Sequence, residues 1–311
     1  MHIFAAYSKP SIMKNSFLIL FSIILYSCGG PTTTDTTDAN EDTKEVAQET
    51  TLLSWEKNGI KVTEAKPSPE FTSAKLKMNE PELACYKQEK SVKFSYGIEN
   101  YDLGLQTQNV DDQHCANSTK GQHIHLILNN NPYTAHYENE FEAELVDGFY
   151  VALSFVSRSY HESIKNSDAY HLSYFTVGMP PDIDPDTIYG MDPRTLEAGE
   201  DKVWLVKSKL LTQEHMFYSR PKGKYDAEDC ESLMLDFYLV NTTLSEDGNK
   251  VKATIDGEEF ILPKWCPYSI EGLGVGEHTI DLDLIDKDGQ PVSGPFNFTK
   301  RTITIEGPAA T

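Results

Sequence analysis

Short runs of alternating apolar and polar residues recur along the chain and predict β-strands. In SVKFSYGI, Val92, Phe94 and Tyr96 share one face. In QHIHLIL the apolar face is formed by Ile124, Leu126 and Leu128. The run FYVALSF (149–155) has a similar apolar face. Turn signals such as NNNP and DG separate these runs, and helical periodicity is nearly absent, so the pattern indicates an all-β protein of the sandwich type.

The strand pattern occurs twice in the same order. The segments 92–104, 121–128 and 145–155 correspond to 233–247, 248–255 and 273–284. We therefore expect two copies of one sandwich domain, module 1 at residues 71–177 and module 2 at residues 202–306, followed by a tail at 307–311. The acidic, proline-rich stretch 178–201 is typical of an extended linker between them.

The N-terminal region has the composition of a targeting segment followed by a tether. Two lysines precede the apolar run FLILFSIIL, and LYSC ends at Cys28, so residues 1–27 are predicted to be a lipoprotein signal peptide with Cys28 as the lipidated residue. Secretion without lipid is the alternative. Residues 28–50 are rich in Thr, Asp and Glu and predict a disordered tether, and 51–70 is a transitional segment with one possible strand at GIKVTEA.

Several strings resemble a known family. GQHIHLILNNNPYTAHY, SRSYHES and HMFYSRPKG resemble envelope lipoproteins of Bacteroidetes-type bacteria, over roughly residues 68–306, and the last hairpin resembles that of bacterial Ig-like domains. Some members of that family are labelled phosphopeptide-binding. The resemblance implies two tandem Ig-like β-sandwich domains at the cell envelope and implies no catalytic residues.

Charge and motifs restrict the classes of function. A formal charge of −21 argues against nucleic acid as a partner, and against any membrane contact other than a lipid anchor. No GxSxG, HExxH or phosphate-loop motif is present, so we expect no enzymatic activity. The expected partner is an unidentified protein, peptide or glycan at the envelope, with the outer membrane as the expected location.

Four cysteines remain once Cys28 is assigned to lipid. An even number in an exported chain suggests disulfides, and four cysteines allow three pairings. The duplication favours Cys85–Cys115 and Cys230–Cys266, with one bridge in each module. Buried free thiols are the alternative.

Histidines in module 1 are the first candidate for binding chemistry. His123 and His125 lie two residues apart on a strand, so their imidazoles share one face, roughly 7 Å apart at the strand rise. Such a pair can chelate copper or zinc if a third ligand arrives from a neighbouring strand or loop. His136, after the next turn, or His161, on a later loop, could supply it.

The second copy suggests where this face lies. Aligning Gly121 with Gly248 places Lys250 and Lys252 of module 2 at the positions of the two histidines. Lysine is seldom buried, so we expect this strand face to be exposed to solvent in both modules. The alternative to a metal site is then a pair of polar surface residues.

A second candidate site is a pair of arginines. Arg158 in SRSYHES and Arg220 in SRPKGKY each follow a serine near a tyrosine, and each could clamp a carboxylate or phosphate. Salt bridges to the many acidic residues are the alternative.

Taken as a sequence, the chain predicts a lipid-anchored envelope binding or adaptor protein without catalytic activity or cofactor. The alternative hypothesis is a metal-binding protein that holds copper or zinc with the histidines of module 1.

Overall fold

The alternating segments form strands in both halves of the chain. The computed structural model describes residues 51–109, 117–178, 187–189, 204–206, 210–227 and 231–307. Residues 50–311 form one compact unit. The first strands are β1 (Ser54–Lys57), β2 (Ile60–Glu64), β3 (Lys75–Glu80), β4 (Tyr86–Lys87), β5 (Ser91–Glu99), β6 (His123–Leu128), β7 (Thr134–His136), β8 (Glu140–Glu144), β9 (Gly148–Ser157) and β10 (Tyr170–Val177). They are followed by β11 (Thr187–Tyr189), β12 (Trp204–Val206), β13 (His215–Arg220), β14 (Gly223–Asp226), β15 (Ser232–Val240), β16 (Lys250–Ile255), β17 (Glu258–Leu262), β18 (Tyr268–Glu271), β19 (Gly276–Ile285) and β20 (Phe298–Glu306).

Both modules have the same sheet order, which confirms the predicted fold of two tandem Ig-like β-sandwiches. In module 1 the sheets are β3-β5-β8 and β4-β10-β9-β6-β7, and in module 2 they are β13-β15-β18 and β14-β20-β19-β16-β17. These correspond to the ABE and A′GFCC′ sheets of an immunoglobulin-type sandwich. In each module the short A′ strand pairs in parallel with the last strand. The first strand of each module also has a register shift near its end, at Met78/Glu80 and at Tyr218/Arg220.

The transitional segment 51–70 contributes strands to module 2. The strand expected at GIKVTEA is β2, which pairs with β1 and with β18. The ABE sheet of module 2 is therefore extended to the order β1-β2-β18-β15-β13. Residues that precede module 1 along the chain thus complete a sheet of module 2.

Hydrophobic clusters hold the unit together. One fills module 1, with Phe94, Ile124 and Phe175, and another fills module 2. A further cluster lies between the modules and joins Leu153 and Phe155 of β9 to residues of β13 and β15 such as Phe217. The modules are therefore packed face to face, and the outer surface of the A′GFCC′ sheet of module 1 is covered. Full burial of one such side chain stabilises the folded state by about 1.5–3 kcal/mol.

Parts of the predicted organisation lie outside the described residues. This applies to the signal peptide, Cys28 and the tether, and to most of the linker 178–201, of which β11 is described and pairs with β12. In the described part of the chain, no helix is long and apolar enough to cross a bilayer.

Candidate metal centre

Strand β6 presents two histidines on the face opposite the core of module 1. Ile124 and Leu126 point into that core. Because successive side chains of a strand alternate, His123 and His125 project from the other face of the sheet. The strand pairs with β9 on one side and β7 on the other, which fixes the position of both imidazoles.

The prediction that the strand face with His123 and His125 is exposed to solvent is wrong for module 1. Both His123 and His125 are 0% exposed. The ring of His125 stacks on Tyr133 with 3.6 Å between centroids and meets Phe155 edge-on at 5.2 Å. The physical reason is that module 2 and the loops of module 1 cover this sheet face, whereas the lysines at the equivalent positions of module 2 are half-buried.

The third histidine comes from a tight turn after β9. The backbone N–H of Arg158 donates to the carbonyl of Glu162, and that of His161 donates to the carbonyl of Arg158. The two side chains at the ends of this turn form a buried salt bridge, with Arg158 Nη1 2.9 Å from Glu162 Oε1. His161 has a φ of 66°, in the left-handed region that is uncommon for residues other than glycine and is frequent at functional sites.

Three ring nitrogens converge at this point. His123 Nε2 lies 2.8 Å from His125 Nε2 and 2.9 Å from His161 Nδ1, and the remaining pair is 3.3 Å apart. Tetrahedral zinc with bonds of about 2.05 Å would place its nitrogen ligands about 3.3 Å apart. The three nitrogens therefore need only small outward shifts to bind one metal ion. We call His123, His125 and His161 the triple-histidine site.

A backbone carbonyl fixes the tautomer of the first ligand. His123 Nδ1 lies 2.8 Å from the carbonyl oxygen of Gly121. A carbonyl only accepts, so Nδ1 carries the proton and Nε2 is left with a lone pair directed at the other two histidines. Gly121 has a φ of 85°, and an added Cβ would lie 2.4 Å from the oxygen of Gly104. Glycine is thus required at the residue that orients this ligand.

Hydrogen bonds alone leave the site incompletely satisfied. With the proton of His123 on Nδ1, its Nε2 accepts one proton at most from His125 or His161. The Nδ1 atom of His125 is buried and has no hydrogen-bond partner among the described residues. A metal ion would compensate the lone pairs of the three nitrogens that face one another, while Nδ1 of His125 would stay buried and without such a partner.

Burial keeps the three imidazoles neutral. It lowers the pKa of His123 to about 4 and the pKa of His161 to about 2, with the nearby Arg220 acting in the same direction. Burial also holds the pKa of His125 well below its usual range. Neutral imidazole is the form that binds a metal, so the site is in its ligand form at neutral pH.

The structure excludes His136 from the site. Its Nε2 is 2.7 Å from Thr134 Oγ1, and its ring stacks on Phe141. Between the two candidates for the third ligand, the structure thus selects His161. His136 lies on β7, next to β6, but its register pairs it with Ile124, which faces the core.

The two arginines do not form an anion clamp. Arg158 is occupied by Glu162, as in the salt-bridge alternative, and also donates to the carbonyls of Ser163 and Pro69. Arg220 is 3% exposed and its Nη1 donates to the carbonyl of Tyr160, 3.2 Å away. Both arginines therefore hold the turn that presents His161, Arg158 from inside module 1 and Arg220 from module 2.

The disulfide pairing stays a prediction. Within the described part of the chain, Cys85 and Cys266 form no disulfide, and their expected partners, Cys115 and Cys230, lie outside it.

Comparisons with known proteins identify no family. No family model and no curated protein matches the chain. Among solved structures, the fibronectin(III)-like modules of Clostridium thermocellum CbhA match at a TM-score of 0.24 and 10% identity, over 75% of this chain and 94% of that one. The Bacteroides ovatus SGBP-B in complex with mixed-linkage heptasaccharide matches at 0.20 and 11%, over 75% and 70%. The D00-D0 domain of Intimin matches at 0.18 and 10%, over 74% and 98%. Scores this low say nothing about the ligand of this chain.

Proposed function

We propose that this chain is a non-catalytic metal-binding protein of the bacterial cell envelope, attached by lipid at Cys28. The convergence of three neutral imidazole nitrogens in the triple-histidine site supports the proposal. Lipidation and location rest on the LYSC sequence and on the resemblance to envelope lipoproteins. Binding of a protein, peptide or glycan at the sandwich surfaces stays a prediction.

The donor set favours zinc or copper among common metals. Imidazole nitrogen suits Zn, Cu, Fe and Ni, whereas Ca²⁺ and Mg²⁺ take oxygen ligands. Three protein ligands leave one position open on a tetrahedral ion. The rings of Tyr133 and Phe155 and the full burial of His123 and His125 would limit exchange of the bound ion with solvent.

Calorimetric titration of residues 50–311 with Zn(II) and Cu(II) tests the proposal. His161→Gly removes one ligand but suits the left-handed backbone at this position, so folding should be retained. We expect one ion per chain with submicromolar affinity, weakened at least about 100-fold in this variant, because loss of one of three ligands removes a large share of the binding free energy.

His136→Ala is the matched control. It removes a histidine of the same sheet that does not belong to the triple-histidine site, so metal affinity should be unchanged. Absence of binding to the folded wild-type chain, or equal losses in the two variants, would contradict the proposal.

A further inference from the structure

Two positively charged side chains of module 2 lie next to the triple-histidine site. The guanidinium of Arg220 donates to the carbonyl of Tyr160, the residue directly before His161. Lys222 Nζ donates to the carbonyl of Tyr133 at 2.9 Å and lies 4.0 Å from the centroid of its ring. Because that ring stacks on His125, the ammonium lies close to the ligands as well.

Arg220 and Lys222 differ from Arg158 and Lys165 in their partners. Arg158 is paired with Glu162, and Lys165 Nζ lies 2.5 Å from Asp236 Oδ1. For Arg220 and Lys222, by contrast, the hydrogen-bond partners among the described residues are carbonyl and phenol oxygens. Neither cation is hydrogen-bonded to a carboxylate of the described chain. The buried Asp236 acts on Arg220 electrostatically but is itself paired with Lys165. Within the same part of the chain, the buried Arg301 is likewise bonded only to backbone carbonyls.

A divalent ion would add to this positive charge. The three imidazoles are neutral and contribute no compensating charge, and electrostatic repulsion is strong where water is largely excluded. An anion bound to the metal would offset this excess of positive charge.

We propose that the metal ion in the triple-histidine site binds a small carboxylate as its fourth ligand, with Lys222 and Arg220 balancing its negative charge. This inference rests on the proposed function. It assigns a role to the position that three protein ligands leave open. The ligand would approach from the side of His161, because this side chain is partly exposed whereas His123 and His125 are fully buried.

Tyr133 offers a hydrogen bond to the same ligand. Its hydroxyl oxygen lies 3.3 Å from His161 Nδ1, at the edge of the triangle of nitrogens. A phenol carries its proton at neutral pH and can donate it. A carboxylate on the metal would thus have one hydrogen-bond donor and two cations nearby.

Cobalt(II) provides the probe, since its absorption bands report changes in its ligands. Residues 50–311 are loaded with Co(II) in a buffer without carboxylates and titrated with acetate. Lys222→Gln removes one cation next to the site. Lys224→Gln is the matched control, because Lys224 lies two residues away, is exposed and pairs with Glu306.

Acetate should shift the Co(II) bands and reach saturation. In Lys222→Gln, acetate should bind about tenfold more weakly, while Co(II) itself binds as tightly as before or more tightly, because one repulsive charge is gone. Lys224→Gln should behave as the wild type. A general structural defect would not weaken acetate binding while leaving Co(II) binding unchanged or tighter.

Three results would overturn the inference. The bands could stay unchanged at high acetate concentration, Lys222→Gln could weaken Co(II) and acetate equally, or labelled acetate could bind equally well without metal in equilibrium dialysis. Failure of the folded chain to bind Co(II), Zn(II) or Cu(II) is a separate result and would reject the proposed function.

Discussion

Strands β6 and β16 occupy the same place in two copies of one sandwich, yet their outer faces have opposite environments. In β6 this face has His123 and His125, which are fully buried. In β16 the equivalent residues are Lys250 and Lys252, which are half-buried. The sheet order around both strands is identical. The environment is therefore set by what packs on the module from outside, since module 1 has a second module against this face.

The largest expected effect follows from making β6 resemble β16. His123→Lys combined with His125→Lys would bury two ammonium groups at positions without carboxylate partners among the described residues. We expect the free energy of unfolding to fall by about 5 kcal/mol or more, because unpaired buried charges are costly. Urea denaturation of residues 50–311 measures it.

The reverse exchange is the control. Lys250→His with Lys252→His changes a half-buried face, where Lys252 forms a surface ion pair with Glu259. The free energy of unfolding should change by less than about 1 kcal/mol, and no metal should bind to module 2. Similar losses in the free energy of unfolding for both double exchanges would mean that the outer faces of β6 and β16 do not differ in burial as described.

Metal should stabilise the protein through module 1 alone. At 1,000 times the dissociation constant, a bound ion adds about 4 kcal/mol. For a unit of this size that corresponds to an increase in Tm of about 10 °C. Thermal unfolding with and without Zn(II) should show this increase in the wild type and in the Lys250→His/Lys252→His control. In His161→Gly, whose affinity is at least about 100-fold weaker, the increase should be at most about a third as large.

The two aligned glycines should respond differently to alanine. Gly121 has a φ of 85° and its added Cβ would meet backbone, whereas the Cβ of Gly248 would meet the side-chain oxygen of Ser245, which can move. We expect Gly121→Ala to cost about 1–3 kcal/mol and to weaken metal binding through His123. Gly248→Ala should cost less than about 1 kcal/mol. Equal costs by urea denaturation would contradict the assigned role of Gly121.

A further difference concerns pH. In the metal-free protein the folded-state pKa values of His123 and His161 lie below the value of about 6.5 for an unfolded chain. Below pH 6.5 the unfolded chain binds protons that the folded chain does not, so stability falls as pH falls, by up to about 1.4 kcal/mol per unit and per histidine. Urea denaturation between pH 7.5 and 5 with a chelator should show this slope, and His123→Gln should flatten it.

His278 of module 2 should have the opposite effect on how stability depends on pH. Burial lowers its pKa, but the hydrogen bonds to Asp256 and to the carbonyl of Gly274, with the charge of Asp256, together outweigh burial, and the pKa is raised. Its contribution to stability is complete below the unfolded pKa and is lost as pH rises through the folded pKa. His278→Gln should therefore make the loss of stability on acidification steeper. A flatter profile would be evidence against this assignment.

Alternation and turn residues were sufficient to predict the all-β fold and the duplication, because each strand covers a core on at least one face. The sequence also identified His123, His125 and His161 as candidates. It did not show which of His136 and His161 completes the site, since that depends on the register of β7 and on the left-handed turn at His161.

The packing between modules was missed, although one signal for it exists. Strand β9 is apolar on both faces, with Ala152 and Val156 toward the module core and Leu153 and Phe155 toward module 2. A continuous apolar run of this kind is typical of a strand buried on both sides. The lysines of β16 suggested the opposite because the two copies share a fold but not their neighbours.

The pairing of β2 with β18 has a consequence for how the chain folds during its synthesis. Lys61 bonds to Glu271, 210 residues further along the chain, so the β1-β2 hairpin is synthesised before module 1 and its partner strand only after it. Long-range pairings of this kind slow folding, and until β18 arrives the edge of β2 is open to other strands. Module 1 can close in the meantime, because its strands are local. We therefore expect translation that stops before residue 268 to leave a folded module 1 beside an unpaired, aggregation-prone hairpin, so that solubility depends on the synthesis of β18.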